Sequence, residues 1–142
     1  MTQMIMTIGG RRQRRYVPVI QDLLFVHEVK PTLDSLVQKL PTLQYRYVFG
    51  RSKDEPMTVR DEEMQKFIYA VNQADSPLYY MPGEFNDTMY GKKVRIIGGV
   101  FNGYEGRLLS VKGMRKKRLI IELEGLMAVA VEVEPEFIQV LR

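Results

Sequence analysis

The N-terminal residues alternate in polarity before they cluster. Met4, Met6 and Ile8 recur at every second position, Gly9 and Gly10 supply turn chemistry, and a second run follows over residues 15–19. This spacing predicts a β-hairpin whose turn is crowded with Arg11, Arg12, Arg14 and Arg15. Leu23, Leu24, Phe25 and Val26 form an unbroken apolar run of strand length, which predicts a central strand covered on both faces. Pro31 suits a first helical turn, and Leu33, Leu36, Val37 and Leu40 recur at helical spacing until Pro41. Residues 32–39 are therefore expected as a short amphipathic helix. Tyr45, Tyr47 and Phe49 alternate with Arg46 and Val48 as in a half-buried strand that ends at Gly50, ahead of a charged loop over residues 51–55. From Asp61 a second helix is expected. Its acidic start complements the helix dipole, and Met64, Phe67, Ile68 and Val71 fall at i, i+3, i+4 and i+7.

Periodicity then disappears. Ser76-Pro77, Met81-Pro82-Gly83 and Asn86-Asp87 give turn signals without a hydrophobic rhythm, so residues 76–90 read as an interdomain linker. Beyond Gly91 the chain breaks into short alternating segments separated by glycines: Val94 and Ile96; Leu119, Ile121 and Leu123; then Met127, Val129, Val131 and Val133. Five strands fit before the C-terminus, which points to a small barrel. The expected plan is α+β: a mixed domain over residues 1–75, the linker, and an all-β domain over residues 91–142.

Composition narrows the chemistry. The 142 residues are 45% hydrophobic, enough for one medium core or two small ones. A net charge of +4 permits nucleic-acid contact without demanding it. The absence of cysteine removes disulfides, thiolate metal sites and thiol nucleophiles. Residues 1–10 are apolar but short, and the arginines follow them where an export signal places its positive charge first. No run approaches the about 18 apolar residues of a membrane helix, so a soluble, cytoplasmic protein is expected. His27 is the only histidine and has no metal-binding company in the sequence. Asp61, Glu62 and Glu63 serve a helix start, and the glycines at 98–99 and 103–106 lack the Lys-Ser/Thr of a phosphate loop. No enzyme, cofactor or metal site is expected.

Gly91, Val94, Ile96, Gly99, Phe101, Gly103, Tyr104 and Gly106 together resemble the KOW motif of NusG-like factors and of some large-subunit ribosomal proteins. Upstream, Arg15, Tyr16, Val17, Pro18 and Ile20, leading into Leu23 to Val26 (residues 23–26), are similar to the central strand region of the NusG N-terminal (NGN) domain. Pro56, Val59, Asp61 and Met64 resemble the proline-containing strand and acidic helix start that close it. Within that family the chain is similar to the UpxY-like antiterminators. Members usually begin with a strand and helices before the hairpin, whereas this chain starts at the hairpin, so the resemblance implies a partial NGN-type α/β sandwich followed by an SH3-like β-barrel. A sheet lacking its first strand and helix is expected to be completed by self-association or strand exchange, unless the true start lies upstream. The family's proline-glycine before the central strand is replaced by Gln21-Asp22, and Glu124 stands before Gly125 where general factors place an apolar contact.

The resemblance implies a transcription elongation or antitermination factor. Ile20, Leu24, Tyr45 and Tyr47 would meet the clamp helices of RNA polymerase, the alternative for each being plain core. Arg11, Arg12, Arg14 and Arg15, with Arg115, Lys116, Lys117 and Arg118, either touch DNA or RNA phosphates or are solvated turns. Phe101 is expected in the barrel core and Tyr104 outside it. The KOW module would recruit a ribosomal or termination-factor partner. Two rivals are a KOW-type RNA-binding or ribosome-associated protein, and a truncated regulatory form that does not bind polymerase.

Overall fold

A computed structural model describes residues 2–8, 11–17, 23–47, 56–123 and 126–142. The fold is α+β, with two α-helices and antiparallel sheets among the described residues. The chain divides into two compact units, Met1–Arg46 and Tyr47–Arg142.

In the first unit, β1 (Thr2–Ile8) pairs with β2 (Arg11–Val17), Ile8 opposite Arg11 and Thr2 opposite Val17. The hairpin forms as its alternation predicts. All four arginines, however, lie within β2 rather than in the turn, because the ladder runs to its first residue. The expected central strand is not there: Leu23, Leu24, Phe25 and Val26 belong to no strand, and Leu24 is 72% exposed. An apolar run specifies a strand only where a neighbouring ladder and a covering layer exist, and the ladder described in this unit is a two-stranded ribbon. Helix α1 (Lys30–Lys39) takes Pro31 in its first turn and ends at Leu40, before Pro41. It buries no residue completely; Leu33 and Val37 are half-buried.

The second unit opens with a single antiparallel bridge between Tyr47 and Pro56, where a strand through residue 49 was expected; residues 48–55 lie outside the described part. Helix α2 (Asp61–Gln73) follows, with Asp61, Glu62 and Glu63 in its first turn. Phe67 and Ala70 are its buried residues, and it packs against strands β6 (Arg118–Leu123) and β7 (Met127–Glu132). Ile68, expected on the apolar stripe, is 50% exposed.

The boundary expected at residue 75 is thus displaced, because α2 is held by the sheet. Residues 76–90 are not a free linker either. They carry β3 (Leu78–Tyr80), which pairs with β7, and two short 3-10 turns. Their apolar side chains, Leu78, Tyr80, Phe85 and Met89, pack on a buried cluster of Leu109, Ile120, Ala128 and Ala130. Scattered aromatics with no common period anchored the segment, so no rhythm announced it.

With β4 (Tyr90–Ile96), β5 (Glu105–Leu109) and β8 (Ile138–Val140), the six strands run in the order β3-β7-β6-β5-β4-β8. Four strands, β4 to β7, form a meander, and β8 returns to the far side of β4. The sheet is open, since no ladder among the described residues joins β8 to β3. Register fixes two faces. Leu119 lies opposite Val131 and Leu108 opposite Leu119, and this face buries Val94, Ile96, Leu119, Leu123, Val129 and Val131. Each such side chain contributes about 1.5–3 kcal/mol. On the other face, Ile120 lies opposite Ala130, under the 78–90 segment. Strand β5 crosses β6 so closely that a Cβ on Gly106 would stand 3.0 Å from the Ile120 carbonyl oxygen.

Candidate functional site

Strands β4 and β5 and the loop between them hold the glycine-bearing motif. Val94 and Ile96 point inward and are fully or nearly fully buried, and Phe101 folds back from the loop to 4% exposure. The loop closes through Ile96 N–H to the Tyr104 carbonyl and Gly103 N–H to the Ile96 carbonyl, both at 2.8 Å. Asn102 Oδ1 accepts from Gly98 N–H at 2.7 Å. Gly98 and Gly99 adopt φ of 108° and 70° and lie flat on the Phe137 ring, where a Cβ on Gly98 would come within 2.8 Å. A side chain is excluded there by both strain and contact. Ile97 and Val100 remain about half exposed on the outer side.

Two tyrosines lock this loop to α2. The Tyr104 hydroxyl donates to the Lys66 carbonyl at 2.9 Å, and the Tyr69 hydroxyl donates to the Val100 carbonyl at 2.8 Å. Their ring centroids are 6.2 Å apart, and Phe101 stands edge-on to Tyr104 at 5.6 Å. Burial, with a smaller contribution from Tyr69, pushes the Tyr104 phenol above its ordinary value. Tyr104 was expected to be exposed; it is half-buried because its hydroxyl finds a helix carbonyl. Tyr69 gave no signal in the sequence, since it lies off the apolar stripe.

A second polar groove lies on the opposite face, lined by Asp87, Tyr90, Glu105, Arg107 and Glu122 over Ile120. The Tyr90 phenol is pushed up to about 12, first by its hydrogen bond to Glu122, then by burial and the charges of Glu122 and Asp87. Its ring stacks on Phe85 at 5.4 Å. Arg95 Nε donates to Glu105 Oε1 at 2.7 Å, and Arg107 donates to the Gly91 carbonyl at 3.1 Å, so both cations are engaged. The groove joins residues far apart in sequence, which periodicity cannot reveal.

The basic turn between β5 and β6 separates by burial. Arg115, Lys116 and Lys117 are exposed, and Lys116 pairs with Glu132 at 3.3 Å. Arg118 is 8% exposed, and its guanidinium donates to the Ser76 and Ala130 carbonyls. It cannot reach a phosphate from there. As the first residue of β6, its side chain is drawn over the ladder to β7, so it ties the α2–β3 connection to the sheet.

Of the expected polymerase-contact residues, Ile20 lies outside the described residues. Leu24 is exposed and Tyr45 half-buried in the first unit, whereas Tyr47 belongs to the second and is 44% exposed. The Tyr45 hydroxyl donates to Asp34 Oδ1 at 2.7 Å, and Lys30 Nζ lies 3.1 Å from Asp34 Oδ2. The Tyr45 bond and then Lys30 hold the Asp34 carboxyl below its ordinary value. Arg11, Arg12, Arg14 and Arg15 hold four of the five register positions 11–15 on β2 opposite β1, with Gln13 between them. Among the described residues no group of three or more His, Cys, Asp or Glu side chains is placed to share a metal ion, and no helix is long and apolar enough to cross a membrane. Comparison of the chain with protein-family models, with curated proteins and with solved structures finds no match.

Proposed function

We propose that the chain is a non-enzymatic, cytoplasmic regulator of transcription elongation or antitermination. Its N-terminal half, as an NGN-type domain, binds RNA polymerase, and its C-terminal strands act as an SH3-like KOW module that recruits a second partner or touches nucleic acid. The observation that carries this reading is the strand order of the meander β4 to β7 with β8 returned beside β4, joined by a glycine loop in which Phe101 is buried, as are Val94 and Ile96 of β4. This arrangement supports reading residues 91–142 as a KOW module. The exposure of Leu24 supports docking, since an apolar side chain in solvent is available to an apolar cleft on a partner.

The mechanism needs no chemistry. A protein that binds one polymerase conformation more tightly than another shifts the population toward it, by no more than its differential affinity. Clamp closure stabilised in this way suppresses pausing, and tethering a second module raises the effective concentration of its partner. A single-round transcription assay with purified core polymerase tests the proposal: the chain should shorten pause lifetimes, and Leu24→Glu should lose that effect while keeping its fold. Unchanged pausing at saturating protein would refute it. One observation favours a second reading, an RNA-binding or ribosome-associated protein. The exposed side chains of Arg115 and Lys117, on a turn of the compact second unit, are free of ion pairs among the described residues.

A further inference from the structure

A cleft distinct from the Tyr90 groove opens where the C-terminal end of α2 meets the glycine turn and the segment leading into β8. Its apolar lining includes Ala74, Val100 and Phe137, and its charged lining consists of Asp75, Glu132 and Glu134. No lysine or arginine lines it, although the chain as a whole carries a net charge of +4. Lys116 engages Glu132, but no cation among the described residues pairs with Asp75 or Glu134. The helix end adds to the same field: α2 has no basic residue in its last turn, so the partial negative charge of its terminal carbonyls is not offset. Carboxylates and helix dipole are independent sources of negative potential, and both meet at a partly apolar lip.

The cleft measures about 150 Å³, below the roughly 300 Å³ at which small-molecule pockets begin. That volume accepts one long side chain. Among side chains, arginine matches best, because its apolar stem lies along hydrophobic surface, its plane stacks on an aromatic ring, and its fork bonds carboxylates and carbonyls together. We propose that this cleft docks an arginine-bearing peptide segment of a protein partner, with the guanidinium between Asp75, Glu134 and the end of α2, and the stem against Val100 and Phe137. The assignment stands on this geometry alone and holds whether or not the chain meets polymerase.

The test is a nuclear magnetic resonance titration of the full chain with a capped peptide carrying one arginine between two leucines. The amides of Ala74, Gly98, Gly99 and Val100 should shift. The same peptide with citrulline in place of arginine should bind at least about tenfold more weakly, a loss of about 1.4 kcal/mol. Asp75→Asn combined with Glu134→Gln should weaken the arginine peptide by a similar factor while leaving the amides of β6 and β7 in place. Three outcomes overturn the proposal: shifts confined to other surfaces, equal binding of the citrulline peptide, or native affinity in the double variant. Equal shifts from spermidine alone would show a general cation site and overturn it as well.

Discussion

Replacing Arg118 with alanine removes the tie between the α2–β3 connection and the sheet. The guanidinium donates to the Ser76 and Ala130 carbonyls, the latter at 3.4 Å. Hydrogen bonds made by a charged group contribute about 1.5–3 kcal/mol each, and the Ser76 bond links residues 42 positions apart. Against this stands the cost of a nearly buried cation that makes no ion pair among the described residues and whose Nε lacks a partner, about 1–3 kcal/mol. The balance puts the loss for Arg118→Ala at about 2–4 kcal/mol. With an m-value of about 1.5 kcal/mol/M, the urea midpoint falls by roughly 1.3–2.7 M. Arg118→Met keeps the stem volume and removes the buried charge, so it should recover about 1 kcal/mol of that loss. Circular dichroism is the readout, because the chain has no tryptophan. Loss of less than about 0.5 kcal/mol in the alanine variant would refute the anchoring role. So would a fall in RNA affinity for folded Arg118→Met equal to that of Arg115→Ala, since a buried guanidinium cannot contact a phosphate.

Other consequences are more local. Tyr69→Phe and Tyr104→Phe should each cost about 0.5–1.5 kcal/mol in urea unfolding, and their double variant should depart from additivity because both hydroxyls clamp one loop to one helix. Gly98→Ala should cost roughly 1–3 kcal/mol, since its φ and the Phe137 ring both oppose a Cβ; a neutral result would show that the ring moves aside. Phe67→Ala should cost about 3–5 kcal/mol and lower the helical signal and the sheet's stability together; loss of the helix with an unchanged sheet midpoint would contradict their packing. Tyr90, whose folded value is about 12 against an ordinary 10.0, contributes stability fully present below pH 10 and lost as pH rises toward 12. Ultraviolet titration should show a phenol ionising near pH 12, and Glu122→Gln should shift that ionisation to lower pH.

The most legible parts of the fold were those in which one period governs a whole element. In β6 and β7, Leu119, Leu123, Val129 and Val131 alternate and are buried, although Ile121 of the same set is only half-buried and Ile120, Ala128 and Ala130 are buried on the other face. In α2 the acidic start and Phe67 placed the helix, and only Ile68 and Ala70 exchanged roles, because the sheet meets the helix on a face rotated from the one hydropathy favours. Context decided the rest. Leu24 belongs to a strand-like run with no described sheet to receive it, so it lies exposed. Phe85 and Met89 pack onto a core assembled from residues downstream, which no local pattern contains. Arg118 looks identical to its basic neighbours in sequence; only its position at the head of β6 turns it inward. Phe101 is buried as expected, whereas Gly99 and Gly106 act across elements, against Phe137 and against Ile120 of β6. Tyr69, Tyr90 and Glu122 also act across elements and were not legible.

The functional proposal rests most directly on polymerase binding. Gel filtration of a reconstituted elongation complex mixed with the purified chain, with ribosomal RNA in a parallel run, measures it. Co-migration with the elongation complex that is lost in Leu24→Glu is the expected result. Co-migration with ribosomal RNA, and none with polymerase, would contradict it.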